Sequence, residues 1–309
     1  MINYRQDLDV IKGIAIIAVV LFHMGLLKSG YLGVDAFFVI NGFLIVPSVI
    51  KHIQNSDFSF LDFMKKRIVR LLPLIVIASA IALATGYFLM LPDDYENLSQ
   101  SVIASNFFSE NILEAITTKN YWDQGNGYKP LMQLWYVGIL FEFYLLFPIL
   151  MLATNGIVRR IKKSQQKWMV SILAVCTSLS LIFYLLPIFN AADKFYYIPF
   201  RFFELGLGGL SGCVLKDKVG VWVENKQHKL NIAAGVFLTL VVFCSIINIV
   251  CGESLNAPVV IGVPISSSNG LPIPAQAALL LTVFLTLVFT ACKSAWGGGK
   301  NNHSNCLLQ

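Results

Sequence analysis

Apolar runs of about 20 residues recur along most of this 309-residue chain, and they constrain its fold more than any other feature. A run of that length crosses a bilayer as a helix, and hydrocarbon leaves the backbone few other ways to satisfy its polar groups. The chain is 56% hydrophobic and only 13% charged, whereas soluble domains carry roughly 25% charged residues. We therefore predict an all-α, polytopic transmembrane helix bundle of about eight helices. The predicted spans are 11–27, 31–50, 68–91, 131–153, 168–189, 198–215, 232–250 and 273–292.

The chain is expected to contain one membrane domain, 1–292, followed by a Gly- and Asn-rich tail, 293–309, that is predicted to be disordered. The first apolar run follows Arg5, Asp7 and Asp9 and is long enough to span, so it is expected to stay as a helix rather than be cleaved as a signal peptide. The cysteines show no CxxC or Cys/His ligand spacing. No metal site is predicted from them.

Lysine and arginine placement predicts the orientation. With a cytoplasmic N-terminus, the inside segments hold most of the basic residues, and the outside segments hold only Lys28, Lys119, Lys129 and Lys194. The positive-inside rule then favours an N-in, C-in arrangement. The net charge of +6 is a topology signal, and no nucleic-acid partner is expected. The outside segment 92–130 is interpreted as a solvated loop, with contact to a substrate as the alternative.

Lys12 and His23 are the first candidate site residues. Their eleven-residue separation returns to within about 20° of the same helix face and rises about 16 Å. Arg5 falls on that face as well. Ionisable side chains in a span indicate a functional site. The structural alternatives are a snorkelling lysine, a positive-inside arginine and a histidine hydrogen-bonded between helices.

Asp35 lies just inside the outer end of the second span, close to the turn that leaves His23. Its carboxylate could orient the imidazole or hold its proton. The alternative is an acidic residue that complements the helix dipole. Arg67 and Arg70 lie three residues apart where the third helix enters the membrane, a spacing that would let both guanidinium groups grip phosphates. Topology alone would also explain these two arginines.

Five segments together resemble the acyltransferase 3 family of bacterial membrane O-acyltransferases. They occur in the family's order and with approximately its spacing, and they comprise 5–23, GVDAFFVINGF at 33–43, FLDFMKKRIVRLLP at 60–73, 134–148 and 198–208. The resemblance covers nearly the whole chain. It implies an enzyme of the bacterial cytoplasmic (inner) membrane that moves an acyl group, most often acetyl, from cytoplasmic acyl-CoA to a hydroxyl of an envelope or exported polysaccharide. Acyl-CoA and the glycan are then the partners, and no further cofactor is implied.

The resemblance also implies roles for individual residues. Lys12 and His23 match the family's basic residue and histidine in the first helix, and Arg67 and Arg70 match its RxxR pair near acyl-CoA. We expect His23 and Asp35 to be catalytic and Lys12, Arg67 and Arg70 to contact acyl-CoA. A neutral histidine suits removal of a hydroxyl proton near pH 7, and both direct transfer and a transient acyl-enzyme stay open. The other polar candidates are Arg5, Asn41, Glu142, Arg201 and Glu204.

Arg201 and Glu204 match the family's R-x-x-E block, although an i,i+3 ion pair of purely structural role would have the same spacing. Three features depart from the family pattern. Leu140 stands at the family's glutamate position and Glu142 follows two residues later, about 200° around the helix. Asn41 stands where serine is common. The chain ends before the family's closing helix, so it is expected to be a shortened member.

Two alternatives to acyl transfer stay open from the residues. One is a proton-coupled carrier or exporter of glycan intermediates or small molecules, in which Lys12, His23 and Asp35 form a proton relay. Such a carrier is expected to show inverted repeats and paired broken helices, of which the sequence gives no clear sign. The other is a fragment without activity.

Overall fold

The structure is a computed structural model, and it describes residues 6–24, 26–27, 30–118, 129–160 and 164–224. Within these ranges the chain forms helices and no β-strand, which confirms the all-α prediction for this part of the chain. The helices are α1 (Gln6–His23), α2 (Leu32–Gln54), α3 (Phe60–Leu89), α4 (Pro92–Asn106), α5 (Glu110–Thr117), a 3₁₀ turn (Met132–Leu134), α6 (Trp135–Arg160), α7 (Gln165–Leu185), α8 (Ala191–Tyr196) and α9 (Ile198–Glu224). The predicted spans 232–250 and 273–292 and the tail 293–309 lie outside the described residues.

Four of the described helices, α2, α3, α6 and α7, are long and apolar enough to cross a membrane. They coincide with four of the predicted spans. Much of the surface of α3 is apolar and exposed, including Leu74, Ile77, Ile81 and Phe88, which is the surface that a lipid-facing helix presents. α1 contains a shorter apolar stretch, Ile11–His23, and α9 extends to Glu224, beyond the predicted end at 215. The total of eight spans and the N-in, C-in orientation stay predictions.

The chain divides into two compact units. Among the described residues, unit 1 comprises those within 6–47 and 204–224, and unit 2 comprises those within 48–203. The long helices α2 and α9 each contribute residues to both units.

Glycines set the distance between helices in unit 1. Gly42 of α2 lies against the carbonyl of Leu205 in α9, and Gly208 of α9 lies against the carbonyl of Val39 in α2. A Cβ at either glycine would overlap the facing carbonyl group. Small residues allow helices in a membrane to approach this closely. Close packing is needed there, because lipid provides no hydrophobic driving force for helix association. The α2–α9 contact in unit 1 therefore depends on the absence of side chains at these positions.

The segment 92–130 corrects the sequence interpretation, because its described part is not a solvated loop. It forms α4 and α5, and Glu110, Asn111 and Glu114 of α5 are almost completely buried. Between the helices, Phe108 has a left-handed backbone (φ 56°), rare for a bulky residue, and its ring stacks on Phe141 of α6 at 4.2 Å between centroids. Acidic side chains normally lie at the protein surface, and here tertiary contacts override that preference.

The two buried glutamates of α5 have different partners. Glu114 accepts hydrogen bonds from Thr118 and from Nζ of Lys129, the latter at 2.9 Å. Glu110 accepts a hydrogen bond from the Ser105 hydroxyl at 3.0 Å. Burial raises the pKa of Glu110 to about 7, because removal from water disfavours the charged carboxylate more than its hydrogen bonds favour it.

We expect Gly42→Ala to destabilise the protein by about 1–3 kcal/mol, the usual cost of forcing extra volume into a packed site. The matched control is Gly13→Ala on α1, where a Cβ meets no atom within 4 Å. Alanine there gains helix propensity of up to about 1 kcal/mol. Thermal unfolding in detergent measures both variants. A Gly42→Ala protein as stable as the wild type would contradict the close-packing argument.

The raised pKa of Glu110 predicts a pH-dependent stability. Between its ordinary value of 4.5 and about 7, folded Glu110 keeps a proton that the unfolded chain has released. The free energy of unfolding therefore falls as pH rises through this window, by up to about 1.4 kcal/mol per pH unit, and levels off above it. Melting temperatures measured in detergent from pH 4.5 to 8 should show Glu110→Gln reducing this slope. Glu96→Gln, an exposed site on α4, should retain it; equal slopes in all three proteins would refute the assignment.

Candidate functional site

Lys12 and His23 both lie on the unbroken helix α1 of unit 1. The helical rise between their backbone positions is about 16 Å. The Lys12 ammonium pairs with Asp9, with 3.7 Å between Nζ and Oδ1. His23 is the last residue of α1 and is exposed, and its ring contacts that of Phe22 edge to face at 5.3 Å. The imidazole is therefore accessible at the helix end. Arg5, the third residue predicted for this face, lies outside the described residues.

Asp35, Asn41 and Glu204 are the polar candidates carried by α2 and α9 within unit 1. Asp35 lies in the first turn of α2 and is 2% exposed, and Glu204 is fully buried. The amide of Asn41 donates a hydrogen bond to the carbonyl of Phe37 at 2.8 Å. Asn41 and Glu204 each immediately precede a residue of the close contact at Gly42. Glycine packing thus brings two sequence-predicted polar positions onto facing turns.

Arg67 contacts aromatic rings within unit 2. Its guanidinium carbon lies 4.3 Å from the centroid of the Phe63 ring and 5.6 Å from that of Tyr144 on α6. Such cation–π contacts hold a guanidinium group in place without supplying an anion. Within the part of the chain that the structure describes, no residue forms an ion pair or hydrogen bond with Arg67. Arg70, one turn further along α3, is exposed, and its charge repels that of Arg67. The pair is suited to an anionic ligand.

Arg201 is 3% exposed in unit 2 and is held by the α8 region. Its Nε donates a hydrogen bond to the carbonyl of Phe195 at 3.3 Å. The guanidinium carbon lies 4.8 Å from the Phe195 ring centroid and 5.7 Å from that of Trp135. These contacts offset the free-energy cost of removing this charged group from water. Its partner in the predicted R-x-x-E block, Glu204, belongs to unit 1.

Glu142 of α6 is hydrogen-bonded to a residue that the sequence interpretation missed. Nδ2 of Asn111 donates to Oε1 of Glu142 at 2.9 Å and to the carbonyl of Tyr196 at 3.1 Å. Asn111 was missed because it lies in the segment interpreted as a loop. The helical spacing of Ile112, Leu113 and Ile116 could have predicted a helix there, but Ile112 and Ile116 are exposed, so that spacing would not have predicted the burial of Asn111.

Other buried polar groups of unit 2 were also missed. Lys194 on α8 is fully buried, and its Nζ has no hydrogen-bond partner among the described residues. In the same part of the chain, no group of three or more His, Cys, Asp or Glu side chains is arranged to hold a metal ion. The candidates thus divide between the units, with Lys12, His23, Asp35, Asn41 and Glu204 in unit 1 and Arg67, Arg70, Glu142 and Arg201 in unit 2.

Several curated proteins of Staphylococcus aureus are similar to this chain. "Putative O-acetyltransferase SAS0844" of strain MSSA476 is 29% identical over 199 residues, which is 63% of this chain and 32% of that protein. "O-acetyltransferase OatA" of strain NCTC 8325 / PS 47 is 31% identical over 150 residues, which is 48% of this chain and 24% of that protein. The matched region is thus about a third or less of these relatives' length. No solved structure matches the chain.

A family model described as an acyltransferase domain, that of acyltransferase 3, matches residues 5–300. This match includes every candidate residue named above and extends beyond the described part of the structure. It agrees with the resemblance carried by the five sequence segments. Since the match covers nearly all of the 309 residues, the chain belongs to the acyltransferase 3 family of enzymes.

Proposed function

We propose that this protein is a multi-pass enzyme of the bacterial cytoplasmic membrane that transfers an acyl group, acetyl foremost, from cytoplasmic acyl-CoA to a hydroxyl of an envelope or exported polysaccharide. The observation that carries the proposal is the family match over residues 5–300. The relatives named as O-acetyltransferases support an oxygen acceptor and an acetyl group. The four apolar helices support a membrane location.

The donor part of the proposal rests on Arg67 and Arg70. CoA carries phosphates, and guanidinium groups bind phosphate through two parallel N–H donors. Phe63 and Tyr144 hold the Arg67 guanidinium, while its hydrogen-bond donors have no acceptor among the residues described in the structure. A half-buried arginine in this state is suited to an anionic ligand that arrives from outside the chain. Under the predicted topology, this end of α3 faces the cytoplasm, where acyl-CoA is available.

The acceptor chemistry rests on His23. In direct transfer, the His23 imidazole would take the proton of the acceptor hydroxyl while the hydroxyl oxygen bonds to the acyl carbonyl carbon. The bond between that carbon and the CoA sulfur then breaks, and the thiolate leaves and takes up a proton. His23 is exposed at the end of α1, so its imidazole is accessible to a substrate. Asp35, in the first turn of α2, is proposed to orient the imidazole.

We expect His23→Ala to reduce glycan acylation about 100-fold to 10,000-fold, the usual loss when a general base is removed. The measurement is the amount of ester-linked acetate on envelope polysaccharide, per amount of membrane-inserted protein. His52→Ala is the matched control, because His52 is an exposed histidine that pairs with Asp57 at 3.0 Å. Undiminished acylation by His23→Ala, at normal expression, would remove His23 from the mechanism.

We expect Arg67→Lys to raise the acyl-CoA dissociation constant about tenfold, since a lysine cannot reproduce a bidentate, ring-stacked guanidinium. Arg70→Lys should also raise the acyl-CoA dissociation constant. Binding of acetyl-CoA to the purified protein in detergent measures both. The control is Arg160→Lys, an exposed arginine at the end of α6 that serves the same predicted topology. Full tolerance of lysine at 67 and 70 would mean that the two arginines act in topology alone.

A further inference from the structure

Glu142 is a carboxylate in an apolar helix, and the proposed mechanism does not use it. It lies seven residues into α6, which places it about 10 Å along the helix from Trp135. α6 belongs to one of the candidate membrane spans. An ionisable side chain in such a helix is costly and is usually retained for a function.

Asn111 holds one oxygen of this carboxylate in a fixed position. The amide is completely buried, and its two N–H donors go to Oε1 of Glu142 at 2.9 Å and to the carbonyl of Tyr196 at 3.1 Å. On the facing turn of α6, Gly138 leaves room for the Asn111 side chain, and a Cβ there would overlap it. Three elements, α5, α6 and α8, thus determine where the amide points.

The other oxygen of Glu142, its open oxygen, accepts no hydrogen bond from a described residue. The side chain is only partly buried, and within the described ranges Asn111 is the single hydrogen-bond partner that it has. A carboxylate oxygen accepts hydrogen bonds and donates none, and its bonds from hydroxyl groups are short and strong. The arrangement therefore presents an immobilised acceptor for an O–H group.

A purely structural tie between α5 and α6 would not need a charge. A neutral glutamine at 142 would accept the same hydrogen bond from Asn111 without the cost of placing a carboxylate among apolar residues. The negative charge offers an advantage over a neutral side chain only if another hydrogen-bond donor binds the open oxygen. Polysaccharides present hydroxyl donors in rows, and they are the acceptor class of the proposed reaction.

We propose that Glu142 binds a hydroxyl of the acceptor glycan through its open oxygen, with Asn111 as the positioning residue. This inference rests on the proposed function. It assigns the glycan a contact within unit 2, on the α6 residue that lies two positions beyond the family's usual glutamate. Glu142 then selects a hydroxyl-rich acceptor, and Arg67 and Arg70 select the donor.

The test uses the full chain, expressed in a bacterial host from which its own polysaccharide O-acetyltransferases have been deleted. The variants are Glu142→Gln, Asn111→Ala, the double variant and the exposed-carboxylate control Glu96→Gln. Three quantities are measured: ester-linked acetate on the envelope polysaccharide, the dissociation constant for acetyl-CoA, and the melting temperature in detergent. The glutamine variant keeps the acceptor for Asn111, so it separates charge from the structural tie.

Glu142→Gln is expected to lower glycan ester content by roughly 10-fold to 100-fold, the usual range for losing a hydrogen bond to a charged group. Its acetyl-CoA affinity and melting temperature should match the wild type. Asn111→Ala should lower ester content in the same direction, and the double variant should lose little more than Glu142→Gln alone, because the two residues act as one unit. Glu96→Gln should leave all three quantities unchanged.

Wild-type ester content in Glu142→Gln would overturn the inference and leave the proposed function standing. Weakened acetyl-CoA binding in that variant would also overturn it, because the effect would lie on the donor side. Independent losses from the two single changes would remove Asn111 from its positioning role. If the wild-type chain adds no ester to the host polysaccharide and does not bind acetyl-CoA, the proposed function itself fails.

Discussion

Hydrocarbon offers no hydrogen-bond partners, and this constraint underlies both the helical fold and the surroundings of the charged side chains. Helices satisfy their own backbone, so the long apolar segments become α2, α3, α6 and α7. Ionisable side chains need partners from the protein. Arg201 has a carbonyl and two rings, Arg67 has two rings, and Glu142 has the amide of Asn111. Among these three, Arg67 and Glu142 retain hydrogen-bonding capacity that the described residues do not use.

The short helix α5 organises much of unit 2. Its buried residues Glu110, Asn111 and Glu114 reach towards α4, α6, α8 and Lys129. A helix of this length is too short to be stable alone, so these tertiary contacts are what stabilise it. The left-handed backbone at Phe108 and the stacking of its ring on Phe141 orient α5 against α6. Through α5, a segment between two membrane helices determines the position of a carboxylate within one of them.

In the proposed reaction, the candidate residues divide into those that would contact the donor and those that would contact the acceptor. The proposed donor is an anion, for which Arg67 and Arg70 would supply positive charge. The proposed acceptor is a polysaccharide, for which His23 would supply a base and Glu142 a hydrogen-bond acceptor. The glycines at 42 and 208 have a different task. They let α2 and α9 approach closely enough in unit 1 for Asn41 and Glu204 to lie on facing turns.

The sequence by itself determined the helical class, the apolar spans and the family, because the length of a hydrophobic run and the order of motifs can be read without knowing any tertiary contact. It also singled out His23 and Asp35 as ionisable groups in apolar spans and Arg67 and Arg70 by their spacing, while Arg201 and Glu204 came from the resemblance to the family's R-x-x-E block. Only the tertiary structure decided that 92–118 folds into two packed helices and that Asn111 holds Glu142. Those facts depend on contacts between residues 31 and 85 positions apart in the chain, and acidic and amide side chains carry no local signal that they will be buried.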